Sequence, residues 1–506
     1  MNGGPTTIGA LVDSAAQRHG PRPWLWFGDD VYSYAALKER TDHAAAEFVA
    51  LGVGPGDRVA FVARNSPELI FAWLGLNKIG AIFVPLNPDS PAADLAAPLQ
   101  RVKASLVVIG TGTTGGDELD KTMGLEEVAA GRRVLRGPPA VEPDDVVVFI
   151  ATSGTTGESK LVMHTNRSYL LTAEGFPFWL GLDETDRLMT SLPLFHLNAQ
   201  AYSTLGSILA GAGLVLLDSF SASRFWEQAS DYEATEVNAV GAMVEMLMRR
   251  DPNEVERGHK VRLVYTAPAL ARERHLEVEE RFDTRLIYGY GLSECPYGAV
   301  WPRDETPYGS MGLLRQHPEL GEINEARIVD DSGAPVSTGS VGELLLRNPA
   351  VMKGYYEMPD ETRKALGGGW LHTGDLVRAD DDGYMFFVSR KKHIIRRRGE
   401  NLSPSEVENA LESHPRVEEA AVVGVPSDLS EEEVKAFVVS TQGEVSAGEL
   451  QTWCRDRLAA YKVPRYIEFV AELPHTATNR VAKHRLPSGL TGNEDDGGVD
   501  ERTTSG

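Results

Sequence analysis

The sequence predicts a large α/β N-terminal domain, built of parallel sheets plus a small β-barrel-like module, and a smaller α+β C-terminal domain. Three observations support this prediction. The chain has 506 residues, and single hydrophobic cores stop growing at ~250–300 residues, so more than one domain is expected. Short apolar runs alternate with helix-like stretches as far as Gly291. After Gly321, strand-like pieces separated by Gly/Asp turns replace that alternation.

The first part of the chain has the pattern of βαβ units. Apolar spacing predicts a helix over 37–51, and the segment GVGPGD then predicts a turn. A strand over 59–63, a helix over 67–79 and a strand within 80–88 follow, in an order that favours parallel pairing. The alternation continues through the segments 105–110, 213–218, 236–250, 261–267 and 285–291.

The second part has shorter elements. EARIVD, GELLLR and GYMFFVSR are predicted strands of the barrel-like module. Beyond them we predict helices over 403–413 and 447–460 and strands over 419–425, 433–439 and 466–469. We place the boundary between Lys391 and Lys392, giving domains 1–391 and 392–490. Residues 491–506 are rich in Gly, Asp, Glu and Thr, so we expect a disordered tail.

Charge and composition exclude several classes of partner. The formal charge is −23 and apolar residues make up 42% of the chain, which argues against nucleic-acid or anionic-membrane binding. Only Cys295 and Cys454 are present, without metal-ligand spacing. The N-terminus lacks the order of a signal peptide, and no apolar run reaches ~20 residues. We therefore expect a soluble cytoplasmic protein.

The segment TSGTTGESK, Thr152 to Lys160, has the composition of a phosphate-binding loop. It follows the apolar run VVVFIA, a predicted buried strand. Glycine leaves room for backbone N–H groups to close on an anion, while hydroxyls and an ammonium add donors. The candidate residues are Thr152, Ser153, Gly154, Thr155, Thr156, Gly157 and Lys160. A Walker A loop is excluded, because two residues separate Gly157 from Lys160. A flexible surface linker is the alternative interpretation.

Three further motifs follow in order: GYGLSE (289–294), WLHTGD (370–375) and SRKKHIIRRRGENLSPSEVE (389–408). Together with TSGTTGESK they resemble the core motifs of the adenylate-forming superfamily, which includes acyl- and aryl-CoA ligases. The resemblance extends from about Leu37 to Leu486. It implies an N-terminal adenylation domain and a mobile C-terminal domain.

The resemblance also implies roles in nucleotide binding. The loop from Thr152 to Lys160 would hold the β- and γ-phosphates of ATP, and Glu294 would bind Mg²⁺ as a hard oxygen ligand. A helix cap is the alternative role for Glu294. Asp375 would bind both ribose hydroxyls, although a turn-forming aspartate is the alternative there. The remaining predicted nucleotide contacts are Arg390 and the adenine segment with Tyr288, Gly289, Tyr290 and Ser293.

The segment PLFHLNAQ resembles the part of the family that lines the acid pocket, which makes His196 a candidate catalytic group beside the carboxylate. A core histidine is the alternative. The resemblance places these further residues around the acid: Asn198, Asn238, Ala239, Gly241, Thr266, Ala267, Pro268 and Cys295.

The resemblance also implies a second half-reaction, thioester formation, that involves the C-terminal part of the chain. The chain departs from the family pattern in the same part. Lys392 stands at the family's hinge, and Gly399 on the loop that meets the thiol of CoA. The neighbouring basic run could meet the 3′-phosphate of CoA or form a solvated face. Where the family carries its catalytic lysine, this chain has Arg480, whose planar fork has a different reach.

The predicted function is ATP-dependent activation of a small carboxylic acid to an acyl-adenylate, followed by thioester formation with CoA. The predicted cofactors are ATP, Mg²⁺ and coenzyme A, and the protein is expected to be a monomer or a homodimer. Two alternatives stay open. One is a non-CoA second step, such as amide formation or nitrite activation for diazotisation of an aryl amine; the other is an inactive nucleotide-binding homologue.

Overall fold

The computed structural model describes residues 4–90, 92–111, 122–152, 160–397, 400–426, 432–440, 445–475 and 481–487. Its contacts divide the chain into two compact units. One comprises Met1–Arg327, Leu345–Thr373 and Asp381–Phe386, and the other comprises Ile328–Leu344, Gly374–Asp380 and Phe387–Gly506. The predicted boundary after Lys391 stays a prediction. The predicted tail, 491–506, lies outside the described residues.

The described α-helices, in chain order, are α1 Ile8–His19, α2 Tyr34–Ala50, α3 Pro67–Lys78, α4 Ala92–Val102, α5 Leu125–Ala129, α6 Asn166–Leu180, α7 Gly206–Ala210, α8 Phe225–Asp231, α9 Gly241–Met248, α10 Arg272–Phe282, α11 Pro359–Ala365, α12 Pro404–Glu412 and α13 Ala447–Arg455. A π-helix, Asn198–Leu205, runs directly into α7. Side-chain caps fix several helix starts; Ser33, for example, accepts from the Ala36 N–H ahead of α2. No described helix has the length and apolar character needed to cross a membrane.

The strands, in the same order, are β1 Pro23–Phe27, β2 Asp30–Ser33, β3 Arg58–Val62, β4 Ile82–Leu86, β5 Leu106–Ile109, β6 Thr122–Gly124, β7 Val146–Thr152, β8 Lys160–Thr165, β9 Arg187–Thr190, β10 Gly213–Leu216, β11 Glu236–Asn238, β12 Leu263–Thr266, β13 Arg285–Leu292, β14 Cys295–Val300, β15 Leu313–Leu314, β16 Glu325–Val329, β17 Gly342–Arg347, β18 Gly354–Tyr355, β19 Leu371–Ala379, β20 Met385–Arg390, β21 Ile395–Arg397, β22 Glu400–Leu402, β23 Val417–Pro426, β24 Glu432–Ser440 and β25 Tyr466–Phe469.

Two large sheets form the first unit. The seven-stranded sheet has the order β18-β8-β7-β4-β3-β5-β6, and its segment from β7 to β6 is parallel. The nine-stranded sheet has the order β15-β14-β13-β12-β11-β9-β10-β1-β2, parallel from β13 to β1. Buried apolar strands such as β4, in which all five residues are buried, are typical of parallel sheets covered on both faces. The predicted α/β class with parallel sheets is confirmed.

The predicted α+β elements of the C-terminal region are present. Strands β23 and β24 pair antiparallel, and β25 joins β24 in parallel. Val407 of α12 and Leu450 of α13 are buried in one core with these strands. The predicted helix over 447–460 is shorter than expected and ends at Arg455. The chain there turns through a short 3₁₀ segment, Ala460–Lys462, ahead of Pro464, which cannot continue a helix.

Candidate active site

The predicted phosphate loop connects two antiparallel strands of the seven-stranded sheet. Thr152, the last residue of β7, pairs with Lys160, the first residue of β8. The Thr152 hydroxyl donates to the Lys160 carbonyl at 3.4 Å. The hairpin therefore fixes both ends of the loop and places the Lys160 ammonium at its C-terminal base. Ser153, Gly154, Thr155, Thr156 and Gly157 lie outside the described residues.

Lys160 has two partners that the sequence did not indicate. Its ammonium donates to Glu361 Oε2 at 2.6 Å and lies 4.7 Å from the centroid of the Tyr355 ring. The hydrogen bond from Lys160, supported by one from Lys364, lowers the pKa of Glu361 to about 2. Glu361 is thus a carboxylate at neutral pH, and it holds the Lys160 ammonium in place.

Glu294 lies in the turn between β13 and β14. The Tyr355 hydroxyl donates to Glu294 Oε1 at 2.8 Å, and the Met352 N–H donates to the Glu294 carbonyl at 2.8 Å. Lys160, Tyr355 and Glu294 therefore form a continuous chain of contacts. No helix follows Glu294, because the chain enters β14, so the alternative helix-cap role is wrong.

His164 fixes the turn that carries Glu294. Its Nε2 lies 2.6 Å from the carbonyl oxygen of Ser293, and its Nδ1 lies 3.2 Å from the Ser168 hydroxyl. Burial lowers the pKa of His164 to about 4, so the imidazole is neutral and donates one N–H to Ser293. The strand leaving the phosphate loop is thereby tied to the predicted metal-binding turn.

The predicted adenine segment lies on β13, and its side chains differ in accessibility. The Tyr288 side chain is 1% exposed and packs against His275 and Trp301, so only its backbone can face a nucleotide. A Cβ on Gly289 would collide with the Tyr265 hydroxyl and with Arg315 Nη2. Glycine is therefore required there by close packing. Tyr290, the third residue of the segment, is partly exposed.

Five of the residues predicted around the acid lie together at the carboxyl ends of β11 and β12: Asn238, Gly241, Thr266, Ala267 and Pro268. Asn238 donates to the Ser203 hydroxyl of the π-helix at 2.6 Å. The Gly241 N–H donates to the Ala267 carbonyl at 3.0 Å, and a Cβ on Gly241 would lie 3.3 Å from Pro268 Cδ. These contacts join the ends of two neighbouring strands to the start of α9.

Several of these acid-site residues carry buried oxygen atoms that have no hydrogen-bond partner in the described part of the chain. They are Asn198 Oδ1, Asn238 Oδ1 and Thr266 Oγ1. Buried polar atoms are almost always paired, so an unpaired group of this kind suits a ligand site. Cys295 is fully buried, and burial raises the pKa of its thiol to about 11, so it packs as a neutral group. His196 is partly exposed, and its ring lies 4.4 Å from that of Phe195.

The predicted ribose site belongs to the second unit. Arg390 Nε lies 2.6 Å from Asp375 Oδ1, and the Asp375 side chain is 1% exposed. Asp375 lies inside β19, not in a turn, so the turn-forming alternative is wrong.

The predicted hinge region is basic, and its residues differ in exposure. Lys392 is exposed within a short 3₁₀ turn, Lys391–His393. Arg397, however, is 7% exposed and lies 2.6 Å from Glu433 while donating to the Tyr461 carbonyl. Both interpretations of the basic run, a CoA phosphate contact and a solvated face, are therefore wrong for Arg397. Gly399 and Arg480 lie outside the described residues.

Comparison with known proteins identifies the family. Residues 12–356 match the AMP-binding enzyme model, and residues 406–480 match the model of the AMP-binding enzyme C-terminal domain. The chain belongs to the AMP-binding enzyme family. This result confirms the superfamily resemblance and the enzyme class predicted from the motifs.

Named relatives of this AMP-binding enzyme extend over nearly the whole chain. It is 33% identical to a crotonobetaine/carnitine–CoA ligase of Salmonella enteritidis PT4, covering 90% of this chain and 93% of that protein. Among solved structures it is similar to o-succinylbenzoate CoA synthetase of Bacillus subtilis in complex with its acyl-adenylate. That likeness has a TM-score of 0.86 and 26% identity and covers 95% and 98% of the two chains. A complex of the same synthetase with ATP and magnesium has a TM-score of 0.85, 26% identity and coverage of 94% and 98%.

The residues of the AMP-binding enzyme fit a magnesium ion shared with a nucleotide. Within the ranges that the structure describes, no three His, Cys, Asp or Glu side chains cluster to hold a metal. Magnesium commonly binds through one or two carboxylates plus substrate phosphates. The single carboxylate of Glu294, oriented by the Tyr355 hydroxyl, matches that donor set.

Sequence reasoning missed Tyr355, Glu361, His164 and Arg315. None lies in a motif with a recognisable spacing, since Tyr355 and Glu361 follow Lys160 by about two hundred positions in the chain.

Proposed function

We propose that the protein is an AMP-forming acid–CoA ligase. It condenses a small carboxylic acid with ATP to an acyl-adenylate and pyrophosphate, and then transfers the acyl group to CoA with release of AMP. The contact chain from Lys160 through Tyr355 to Glu294 is the single observation that carries this proposal. It joins a cation at the base of a phosphate loop to a carboxylate suited to magnesium.

The residues of the chain have separate tasks in the first half-reaction. Lys160 binds the phosphates, exchanging its contact with Glu361 for a phosphate oxygen. Tyr355 holds the Glu294 carboxylate in one rotamer, and His164 holds the backbone of the turn behind it. Magnesium, when bound at Glu294, neutralises phosphate charge. Asp375 binds the ribose hydroxyls, and its buried contact with Arg390 fixes its orientation.

The acid lies among the buried oxygens at the ends of β11 and β12. His196, partly exposed beside Phe195, lies beside the carboxylate. The names of the relatives, an o-succinylbenzoate CoA synthetase and crotonobetaine/carnitine–CoA ligases, support acids of modest size and CoA as acceptor. Arg480 supplies positive charge to the carboxylate and the α-phosphate in place of the family's lysine. Lys392 is the hinge between the half-reactions, and Gly399 admits the thiol.

Domain boundaries, location and oligomeric state complete the proposal. We propose an adenylation domain over 1–391, a C-terminal domain over 392–490, a cytoplasmic location and a monomeric or homodimeric state. Size-exclusion chromatography with light scattering tests the oligomeric state. Limited proteolysis tests the boundary, because exposed linkers are cleaved first.

The experiment that tests the function measures AMP and pyrophosphate from ATP with a panel of carboxylic acids, with and without CoA. An acid–CoA ligase gives acid-dependent pyrophosphate exchange without CoA, and an acyl-CoA product only when CoA is added. AMP formation that needs an amine acceptor and ignores CoA would favour amide formation, or diazotisation if nitrite replaces the acid. The atypical Arg480 keeps that second candidate in the panel. Absence of exchange with every acid would favour an inactive homologue.

A further inference from the structure

Arg315 is a buried cation surrounded mainly by aromatic rings. The residue is 1% exposed. Its Nε donates to the Ala299 carbonyl at 3.1 Å, and its Nη2 donates to the Tyr265 hydroxyl. Among the described residues, Nη1 has no hydrogen-bond partner and no Asp or Glu is paired with this guanidinium.

The groups around Arg315 are aromatic rings. The guanidinium carbon lies 4.8 Å from the centroid of Trp179, 5.2 Å from that of Tyr202 and 5.5 Å from that of Tyr265. Burial raises the pKa of the Tyr202 phenol and that of the nearby Cys295 thiol. Both are neutral at physiological pH. The positive charge is therefore not compensated by the side chains that pack against it.

Such an arrangement is costly without a ligand. A buried charge needs a partner of opposite sign and hydrogen bonds to its remaining donors, and an arginine presents its donors in a planar fork that matches a carboxylate. Cation–π contacts with three rings orient the fork and remove water from it, but they add no negative charge. The free Nη1 is the donor still available for an anion.

Arg315 lies beside the residues assigned to the acid and the adenylate. Its Nη2 would lie 2.5 Å from a Cβ on Gly289. Tyr265 directly precedes Thr266 on β12, and Tyr202 lies on the π-helix that begins at Asn198. A Cβ on Gly291 would lie 3.2 Å from the Tyr202 hydroxyl. The guanidinium and the Tyr202 and Tyr265 rings that pack against it thus adjoin this part of the acid site.

We propose that Arg315 binds a second carboxylate of the acid, so that the substrates of this enzyme are short dicarboxylic acids. This inference rests on the proposed function, because it names the class of acid that the ligase activates. One carboxylate meets ATP, and the other accepts from Arg315 Nη1. The acid is short because the guanidinium lies against Gly289 and Tyr265, next to the residues assigned to the reacting carboxylate and the adenylate.

The test compares dicarboxylic acids with monocarboxylic acids of the same chain length: malonate with propionate, succinate with butyrate, and glutarate with valerate. Pyrophosphate exchange gives kcat/KM for each. We expect at least a 100-fold preference of the wild-type enzyme for one dicarboxylic acid, since a site built to bind a polar group rejects analogues that lack it. Equal or better turnover of the matched monocarboxylic acids would overturn the proposal, as would a preference for carnitine or crotonobetaine, whose cationic group Arg315 repels.

Variants separate this role from a structural one. Arg315→Met should lower kcat/KM for the dicarboxylic acid at least 100-fold more than it lowers kcat/KM for the monocarboxylic acid of the same length, whereas Arg315→Lys should keep part of the preference. Arg303→Met is the matched control, because Arg303 is an exposed arginine of the same unit and should change neither value. Retention of the full preference by Arg315→Met contradicts the proposal.

Calorimetry and pyrophosphate exchange distinguish failure of the Arg315 role from failure of the ligase function. If Arg315→Met fails to fold, as judged by thermal unfolding, titration calorimetry of the wild-type enzyme with all three pairs of acids decides the question, and equal dissociation constants within every pair contradict the proposal. If no acid of either class produces pyrophosphate exchange, the ligase function itself fails. Exchange with monocarboxylic acids alone leaves the ligase intact and removes only the role of Arg315.

Discussion

Replacing Tyr355 by phenylalanine removes a single hydroxyl from the site. That hydroxyl donates to Glu294 Oε1 at 2.8 Å. The ring stays, and with it the surface on which the Lys160 ammonium lies at 4.7 Å. Because the residue is 8% exposed and loses no carbon atom, the fold should be preserved. The substitution therefore isolates the orientation of the predicted magnesium-binding carboxylate.

The magnitude follows from the contact that is lost. A hydrogen bond to a charged group is worth about 1.5–3 kcal/mol, and every 1.4 kcal/mol is about tenfold in an equilibrium constant. Loss of partners that orient metal ligands commonly costs about 10–100-fold in metal affinity or activity. We therefore expect the Mg²⁺ concentration for half-maximal pyrophosphate exchange to rise by about 10–100-fold in Tyr355→Phe.

The assay is pyrophosphate exchange over a magnesium titration at saturating acid, with thermal unfolding as the folding control. Tyr356→Phe is the matched variant, since Tyr356 is the adjacent tyrosine and its ring packs on Phe149 at 4.7 Å. It should leave the magnesium dependence unchanged. An unshifted titration in folded Tyr355→Phe, or an equal shift in Tyr356→Phe, would refute the role given to this contact.

Four further outcomes are expected. Asp375→Ala should abolish nucleotide binding in calorimetry, and unchanged ATP affinity would exclude its ribose role. Lys392→Ala should impair only one half-reaction, and separate assays of pyrophosphate exchange and thioester formation show which one. The pKa of His164 is about 4 in the folded protein, against an ordinary value of 6.5. The free energy of unfolding should therefore fall by up to roughly 3 kcal/mol as the pH falls from 6.5 to 4. In urea unfolding, His164→Leu should lack this pH dependence. Glu236 lies between Leu263 and Leu188 of the two neighbouring strands, and no described residue forms a hydrogen bond to its carboxyl oxygens. Burial and the charge of Asp186 raise the pKa of Glu236. Glu236→Leu should therefore stabilise the protein by about 1–3 kcal/mol at pH 7, with a gain over wild type that grows above pH 4.5, and a loss of stability there would contradict this.

The sequence predicted the elements of the site better than their contacts. Residues next to Gly-rich motifs, such as Lys160 and Glu294, have local composition that indicates chemistry, and the strands before them are recognisable from apolar runs. The helix boundary at Arg455 was harder, because helical spacing continues past the residue where the chain turns.

Contacts between distant segments were not predictable from one sequence. Tyr355 meets Lys160 because β18 pairs with β8 along one edge of the sheet, with Tyr355 opposite Val162. The burial of Arg397 depends on Glu433 and on the carbonyls of Tyr461 and Val463, all far along the chain. Local patterns carry no information on such pairings, so a buried structural arginine and a solvated one look alike in a basic run.

The most direct test of the central claim follows oxygen from the acid. With the carboxylate labelled by ¹⁸O, attack on the α-phosphorus of ATP and subsequent transfer to CoA should leave one labelled oxygen in the AMP, which mass spectrometry detects. ADP and inorganic phosphate as products, or AMP without the label, would contradict activation of the acid as an adenylate.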